Sequence, residues 1–185
     1  MHPTFDIDVR PESSAMGFSA READIAIRYV YGDGKPEEHT LGLRTTEIAR
    51  PDVAAVASPG FLAACNSITT VADLLRLPLL RKQDDGQWRR WFTLQGVDCK
   101  PNLAGLRLWH NSITIEAAKN GQGVALANRL LLRNDLTTGR LVEIKVGERL
   151  PLGAYHFTSR ESSWASAAVG ELRRWLQRTM QLSVA

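Results

Sequence analysis

The sequence predicts an α/β fold, and three observations carry that prediction. Short apolar runs of strand character recur along the chain. Segments of helical periodicity alternate with them, and Gly, Pro and small polar residues mark the joints. Alternation of this kind predicts sheets built mainly from parallel strands with helices on their faces. With 185 residues, 44% of them hydrophobic, the chain is long enough for one ordinary domain or two small lobes with real cores.

The elements follow in order. Phe5, Ile7 and Val9 alternate with Asp6, Asp8 and Arg10 and predict a half-buried strand. Residues 12–23 are small and polar, with room for a short helix. Asp24 opens DIAIRY, an apolar strand expected to end at Arg28 and Tyr29, and VYGDGKPEEH reads as a loop. LGLRTTEIA and VAAVA are two strands separated by Pro51, which breaks the ladder or marks an edge. Ser58 and Pro59 open the helix FLAAC, with proline in the first turn. Thr70 caps a second short helix, VADLLR, and residues 77–80 form a strand interrupted by Pro78. Residues 87–94 predict a helix that buries Trp88 and Trp91 and leaves Arg89 and Arg90 in solvent. The competing reading of those four residues is an aromatic-basic patch for single-stranded nucleic acid. Residues 106–109 are expected to be a strand.

The stretch 109–126, WHNSITIEAAKNGQGVAL, is the most informative. Asn111 and Ser112 stand where a helix N-cap is expected, because their side chains can bond the free N–H groups of the first turn. Ile113, Ala117 and Ala118 recur at helical spacing and predict its buried face. Gly121 and Gly123 follow where the turn needs positive φ, and Val124, Ala125 and Leu126 read as a buried strand. Residues 129–135 form another helix, ended by Thr138 and Gly139. Leu141, Ile144 and Val146 return as an irregular strand, and residues 154–158 as a further one. Trp164, Ala168, Leu172, Trp175, Leu176 and Thr179 then predict one face of a long final helix.

Composition narrows the function. A net charge of +3 without a dense Lys/Arg run gives no electrostatic footprint for nucleic acid. The two cysteines, Cys65 and Cys99, are isolated and read as free buried thiols of a reducing compartment. The start of the chain carries no signal-peptide pattern, and no apolar run approaches the roughly 18 residues of a membrane span. A cytoplasmic protein with no membrane association is expected. No G-x-S-x-G elbow, Walker loop or HExxH is present, and the four histidines fall without triad or metal spacing. The chain is therefore expected not to be an enzyme and to need no metal or cofactor.

Two polar clusters suit a small anion instead. A helix N-terminus beside a buried strand end offers free N–H groups and a favourable dipole; Asn111 and Ser112 add donors there, unless they only cap the helix. His110 adds a pH-sensitive contact or is simply solvated. Arg28 and Tyr29 stand at a predicted strand end, where open α/β sheets bind ligands. A guanidinium can hold a carboxylate or phosphate through two parallel hydrogen bonds, or pair with a neighbouring acidic side chain.

The order of motifs carries more than any one of them. ADIAIRYVYGDG, VAAVASPGFLAA, TVADLLRLPLL, a W-x-x-W segment and SITIEAAKNGQGVALANRLLLRNDLTTGRLV follow in sequence. Together they resemble the effector-binding domain of LysR-type transcriptional regulators, in the branch of the glycine-cleavage and β-lactamase regulators. The resemblance runs from about Asp6 to Leu176. It implies two Rossmann-like lobes as in type 2 periplasmic binding proteins, with lobe I at 1–52 and 154–185 and lobe II at 53–153. It implies two crossover segments and a small effector in the cleft between lobes, which the polar clusters above suggest is anionic. Tyr155 at the return crossover and Ser58 at the outward one join the candidate contacts, although Ser58 reads equally well as a cap. The resemblance implies a homodimer or tetramer in the full-length regulator, with DNA contacted only through an N-terminal domain. That domain, and the strand and helix with which lobe I usually begins, lie outside the resemblance. The alternatives are a stand-alone solute-binding protein of the same architecture and a small-molecule enzyme on an α/β scaffold.

Overall fold

A computed structural model describes residues 6–11, 23–34, 42–98 and 103–184. Its elements run β1 (Ile25–Tyr31), β2 (Leu43–Ala49), β3 (Asp52–Ala57), α1 (Pro59–Ala64), β4 (Leu79–Leu80), α2 (Gly86–Leu94), α3 (Asn111–Lys119), β5 (Val124–Asn128), α4 (Arg129–Thr137), β6 (Val142–Glu143), β7 (Leu150–Pro151), β8 (Gly153–Arg160) and α5 (Ala167–Val184). The chain divides into two compact units, one of Met1–Arg50 with Gly153–Ala185 and one of Pro51–Leu152.

The second unit is built on a sheet ordered β4-β5-β3-β6, with β7 also pairing β3. Its central strands are buried on both faces, as their near-continuous apolar runs require. Val53, Ala55 and Ala57 of β3, with Val124 and Leu126 of β5, face one core together with Leu74, Trp88, Trp91 and Phe92. The intervening Ala54, Val56, Ala125 and Ala127 face another, with Ile115, Ala117 and Ala118 of α3 and Leu132 of α4. Strand alternation therefore feeds two layers from one sheet. The small residues on the α3–α4 side let those helices approach the strands closely. Trp88 and Trp91 are buried, as their spacing predicts, and Trp88 Nε1 donates to Leu80 O at 3.0 Å.

Strand direction departs from the expectation. Only β4 and β5 run parallel; β3 is antiparallel to β5, β6 and β7. Alternating strands and helices specify that helices cover the sheet, not the direction of each strand. Here the chain enters along β3 and leaves along β7, paired at Asp52 with Pro151 and Val53 with Leu150, so entry and exit lie side by side. Residues 106–109 also depart from expectation. Apart from one parallel bridge, Arg81 to Arg107, they form no strand, because Gly105 and the turn at Trp109 cut the ladder short.

The 71–76 segment is a 3-10 helix opened by Thr70. Asp73 Oδ2 accepts the backbone N–H groups of Thr69 (3.1 Å) and Thr70 (2.9 Å) and both their hydroxyls (3.2 and 2.9 Å). Those four donors favour the ionised form and hold the carboxyl at about 2, below its ordinary 3.8. A carboxyl depressed in the folded state contributes stability above its unfolded value and loses it as pH falls. The contribution of Asp73 is thus present above about pH 4 and disappears toward about pH 2. Denaturant titrations should find Asp73→Asn less stable than the parent near neutral pH, with the gap closing through that acid window.

The first unit has a three-stranded antiparallel sheet, β1-β8-β2. Phe157 and Ile48 face α5 through Val169, with Leu172, Leu176 and Met180 packed beside them. The face of α5 is therefore 169/172/176/180. Trp175 lies off it and is 53% exposed, against the expectation that it joins the core. Trp164 precedes α5 and is held between the guanidinium groups of Arg44 and Arg173, 4.7 and 4.1 Å from its ring. Residues 6–11 are not a strand: Ile7 and Val9 are 51% and 79% exposed. Alternation marks a face, but a strand needs a neighbour to complete its ladder. Phe5, the predicted short helix within 12–23 and Cys99 lie outside the described residues; Cys65 is free and half-buried.

Candidate functional site

In the second unit the candidate residues gather where β4 and β5 end and α3 begins. Helix α3 leads through a tight glycine turn into β5, so its N-terminus stands at the C-terminal end of β5. The parallel β4 ends at the same edge. This is the position at which α/β sheets offer backbone donors to ligands.

The start of α3 corrects the sequence reading. The N-cap is His110, with extended backbone (φ −113, ψ 142) and no side-chain bond to the first turn. Asn111 and Ser112 are the first two helical residues instead. The cause lies one residue earlier. Trp109 has φ 60, and His110 N–H donates to Leu108 O at 2.6 Å. That is a γ-turn of the rare positive-φ kind, and it delivers His110 already extended. Because His110 supplies no cap, the first-turn N–H groups are left for solvent or a ligand. Helices α1 and α4 contrast with this: Ser58 Oγ accepts from Phe61 N at the start of α1, and Asn128 Oδ1 from Leu131 N at the start of α4, whereas α2, like α3, has no side-chain cap bond at its N-cap, Asp85. Asn111 Oδ1 is buried without a hydrogen-bond partner. Ser112 is exposed. Ile113 is exposed too, and the buried face is Thr114, Ile115, Ala117 and Ala118.

Trp109 is 62% exposed, so little packing holds its strained backbone in place. Trp109→Gly is expected to keep or raise stability, by up to about 1 kcal/mol, since glycine adopts positive φ without penalty. Trp109→Val should lower it. Thermal melts of the two variants check this.

Sequence reasoning missed two residues at this edge. Arg81 donates to Asp85 Oδ1 (2.9 Å) and Gly105 O (2.6 Å), which pins the segment leading to α3. Lys82 follows at the end of β4, beside Leu108, whose N–H donates to Arg81 O. Burial pushes the Lys82 ammonium down to about 8. The only sequence signal was a basic pair closing a short apolar run. Ser58, in contrast, is not brought to this edge. It is buried and engaged as the α1 cap, and a Cβ on Gly121 would lie 3.6 Å from its Oγ. Ser58 therefore stands by the far end of α3, a helix about 13 Å long.

In the first unit, Arg28 and Tyr29 are not at a strand end. β1 continues to Tyr31, and the two pair with His156 and Tyr155 of β8. Adjacent strand residues face opposite sides, so Arg28 lies on one face with His156 while Tyr29 and Tyr155 share the other. The Tyr29 and Tyr155 rings meet edge-on with centroids 5.0 Å apart. All three candidates are half-buried. Among the described residues no group of His, Cys, Asp or Glu is arranged to hold a metal ion, and no helix is long and apolar enough to cross a membrane.

Comparison with known proteins agrees with this architecture. The AmpR effector-domain structure of Pseudomonas aeruginosa superposes with a TM-score of 0.77 at 22% identity, covering 99% of this chain and 84% of that one. The AmpR effector binding domain of Citrobacter freundii gives 0.71 at 25% identity, covering 91% and 80%. The chain has the two-lobe α/β fold of these LysR effector-binding domains. In sequence it is 26% identical over 183 residues to the transcriptional activator AmpR of Enterobacter cloacae, covering 97% of this chain and 59% of that protein. It is 24% identical over 175 residues to the glycine cleavage system transcriptional activator of Escherichia coli, covering 95% and 55%. The chain thus spans little more than half the length of these curated relatives. The family model for the LysR substrate binding domain matches residues 1–181, and the chain belongs to that family.

Proposed function

We propose that the chain is the effector-sensing part of a bacterial LysR-type transcriptional regulator, not an enzyme, and that it takes a small anionic effector. The observation that carries the reading is the uncapped N-terminus of α3 at the ends of β4 and β5, within a chain matched by the family model almost end to end. Free N–H groups and the helix dipole favour a carboxylate there. Asn111, Ser112 and His110 surround it, and Lys82 adds a cation that a bound anion would hold protonated. Tyr29 and Tyr155, which share one face, are the contacts assigned to the first unit; Arg28, on the other face of the same strands, is not aligned with them. Ser58 acts through α1 rather than on the effector. The compact units support lobe I as 1–52 with 154–185 and lobe II as 53–153, since they change over within two residues of those limits.

The effector acts by population shift. It favours one arrangement of the lobes by as much as its affinities for the alternatives differ. In a full-length homodimer or tetramer the shift reaches attached DNA-binding domains, in the cytoplasm. Calorimetric titration with small carboxylic acids, amino acids and peptidoglycan fragments tests the reading. One saturating anionic ligand is expected; turnover of a ligand would contradict it.

A further inference from the structure

Trp109 keeps a backbone φ of 60 although its side chain is 62% exposed. A strained residue persists only where its surroundings over-determine it, so the hold on Trp109 must come from the chain on either side. Downstream the hold is plain. His110 O accepts both the backbone N–H and the hydroxyl of Thr114, at 3.0 and 2.9 Å, and Thr114 is 1% exposed.

Upstream the hold converges on one residue. Leu79 N–H donates to Ala104 O at 2.8 Å, Arg81 N–H to Leu106 O at 2.8 Å, and Leu108 N–H to Arg81 O at 2.9 Å. The last of these bonds stands directly before the turn. β4 itself ends at Leu80, so Arg81 lies past the ladder that β5 supports. Its side chain holds it there instead. One terminal nitrogen donates to Asp85 Oδ1 at 2.9 Å and the other to Gly105 O at 2.6 Å. The side chains of Arg81 and Asp85 are 15% and 14% exposed, so water competes little for this pair. Both anchors are themselves fixed. Asp85 opens α2, and Gly105 lies so close to β4 that a Cβ would stand 2.1 Å from Leu79 O.

We propose that Arg81 is a positioning residue for the start of α3: its two side-chain bonds keep Trp109 in its strained turn, and so keep His110 extended and the first-turn N–H groups open. Without those bonds Trp109 returns to negative φ, and the donors at the start of α3 lose their preset arrangement. The consequence for binding rests on the effector reading, because a preset site loses less binding energy to ordering.

The test is a double-mutant cycle of Arg81→Met with Trp109→Gly on the 185-residue chain. Trp109→Gly should keep or raise the melting temperature of the parent, because glycine takes positive φ without strain. In Arg81→Met the strain is already gone. The added glycine then only loosens the chain, and should lower the melting temperature by about 2 °C. NMR should find the strong amide-to-Hα cross-peak that positive φ gives Trp109 in the parent, and lose it in Arg81→Met. An ion pair that only adds stability would move neither readout. A Trp109→Gly effect of the same sign and size in both backgrounds would overturn the proposal, and so would an unchanged cross-peak. If Arg81→Met does not fold, Asp85→Asn removes one anchor of the same guanidinium and is expected to show the same reversal; Asp85 makes no side-chain cap bond that the change would break. The carboxylate that saturates the parent should bind Arg81→Met roughly tenfold more weakly, and equal affinities would contradict the positioning role. If no carboxylate saturates the parent, the effector reading fails, while the cycle and the cross-peak still decide the role of Arg81.

Discussion

Trp88→Ala is expected to destabilise the second unit by about 4 kcal/mol. The side chain is fully buried, and its ring packs edge-on against Trp91 and stacks on Phe92, with centroids 5.8 and 5.6 Å away. Truncation removes that packing and opens a cavity the surrounding helix and strands cannot fill, because α2 is also tied to β5 through Gln87 Nε2 and Leu126 O. It also strips Leu80 O of its indole donor at the end of β4. Denaturant unfolding followed by circular dichroism should show the loss, read on the second unit's transition if the two units unfold separately. Trp175→Ala, on the exposed side of α5, is the matched control and should cost less than about 0.5 kcal/mol. Equal effects of the two substitutions would mean that Trp88 does not anchor this core.

Gly123→Ala is expected to cost about 3 kcal/mol. Gly123 has φ 148, and a Cβ there would lie 2.3 Å from Pro78 O. That carbonyl is fixed in place, because it accepts the Val124 N–H at 2.9 Å in the ladder joining β4 and β5. The new methyl group must therefore push the parallel strands apart. Gly121, two residues earlier, has φ 73 but meets nothing closer than 3.6 Å. Gly121→Ala should cost only the backbone penalty of about 1 kcal/mol. Thermal melts of the pair separate the two terms, and equal losses would show that strand contact is not what reserves position 123 for glycine.

Much of this was legible in the residues. β2, β3, α1, the 3-10 helix at 71–76, α2, α4 and β5 follow from apolar periodicity and from the capping residues Ser58 and Thr70. Periodicity was informative in β3, β5 and α2, which bury a full face, whereas α1 buries no residue and was legible from Ser58 and Pro59 instead. Periodicity failed where burial is partial. Ile7 and Val9 alternate like a strand but have no ladder around them among the described residues, and Trp175 lies one position off the buried face of α5. The start of α3 was legible as a place, not in its geometry. The sequence located the start of α3, but the positive φ of Trp109 moved the cap to His110, and no local pattern announces a tryptophan there. Strand alternation then split Arg28 from Tyr29, because β1 runs two residues beyond the predicted end. Lys82 could not be found from sequence, since its shifted protonation arises from burial that only the fold creates.

The central claim is that the open N-terminus of α3 holds the acidic group of an effector. Calorimetric titration of the first carboxylate found to saturate the chain, repeated on Ser112→Ala and Asn111→Ala, tests it most directly. The account predicts at least tenfold weaker binding in one or both variants, with melting temperatures close to the parent's. Unchanged affinity in both, with both folded, would contradict it.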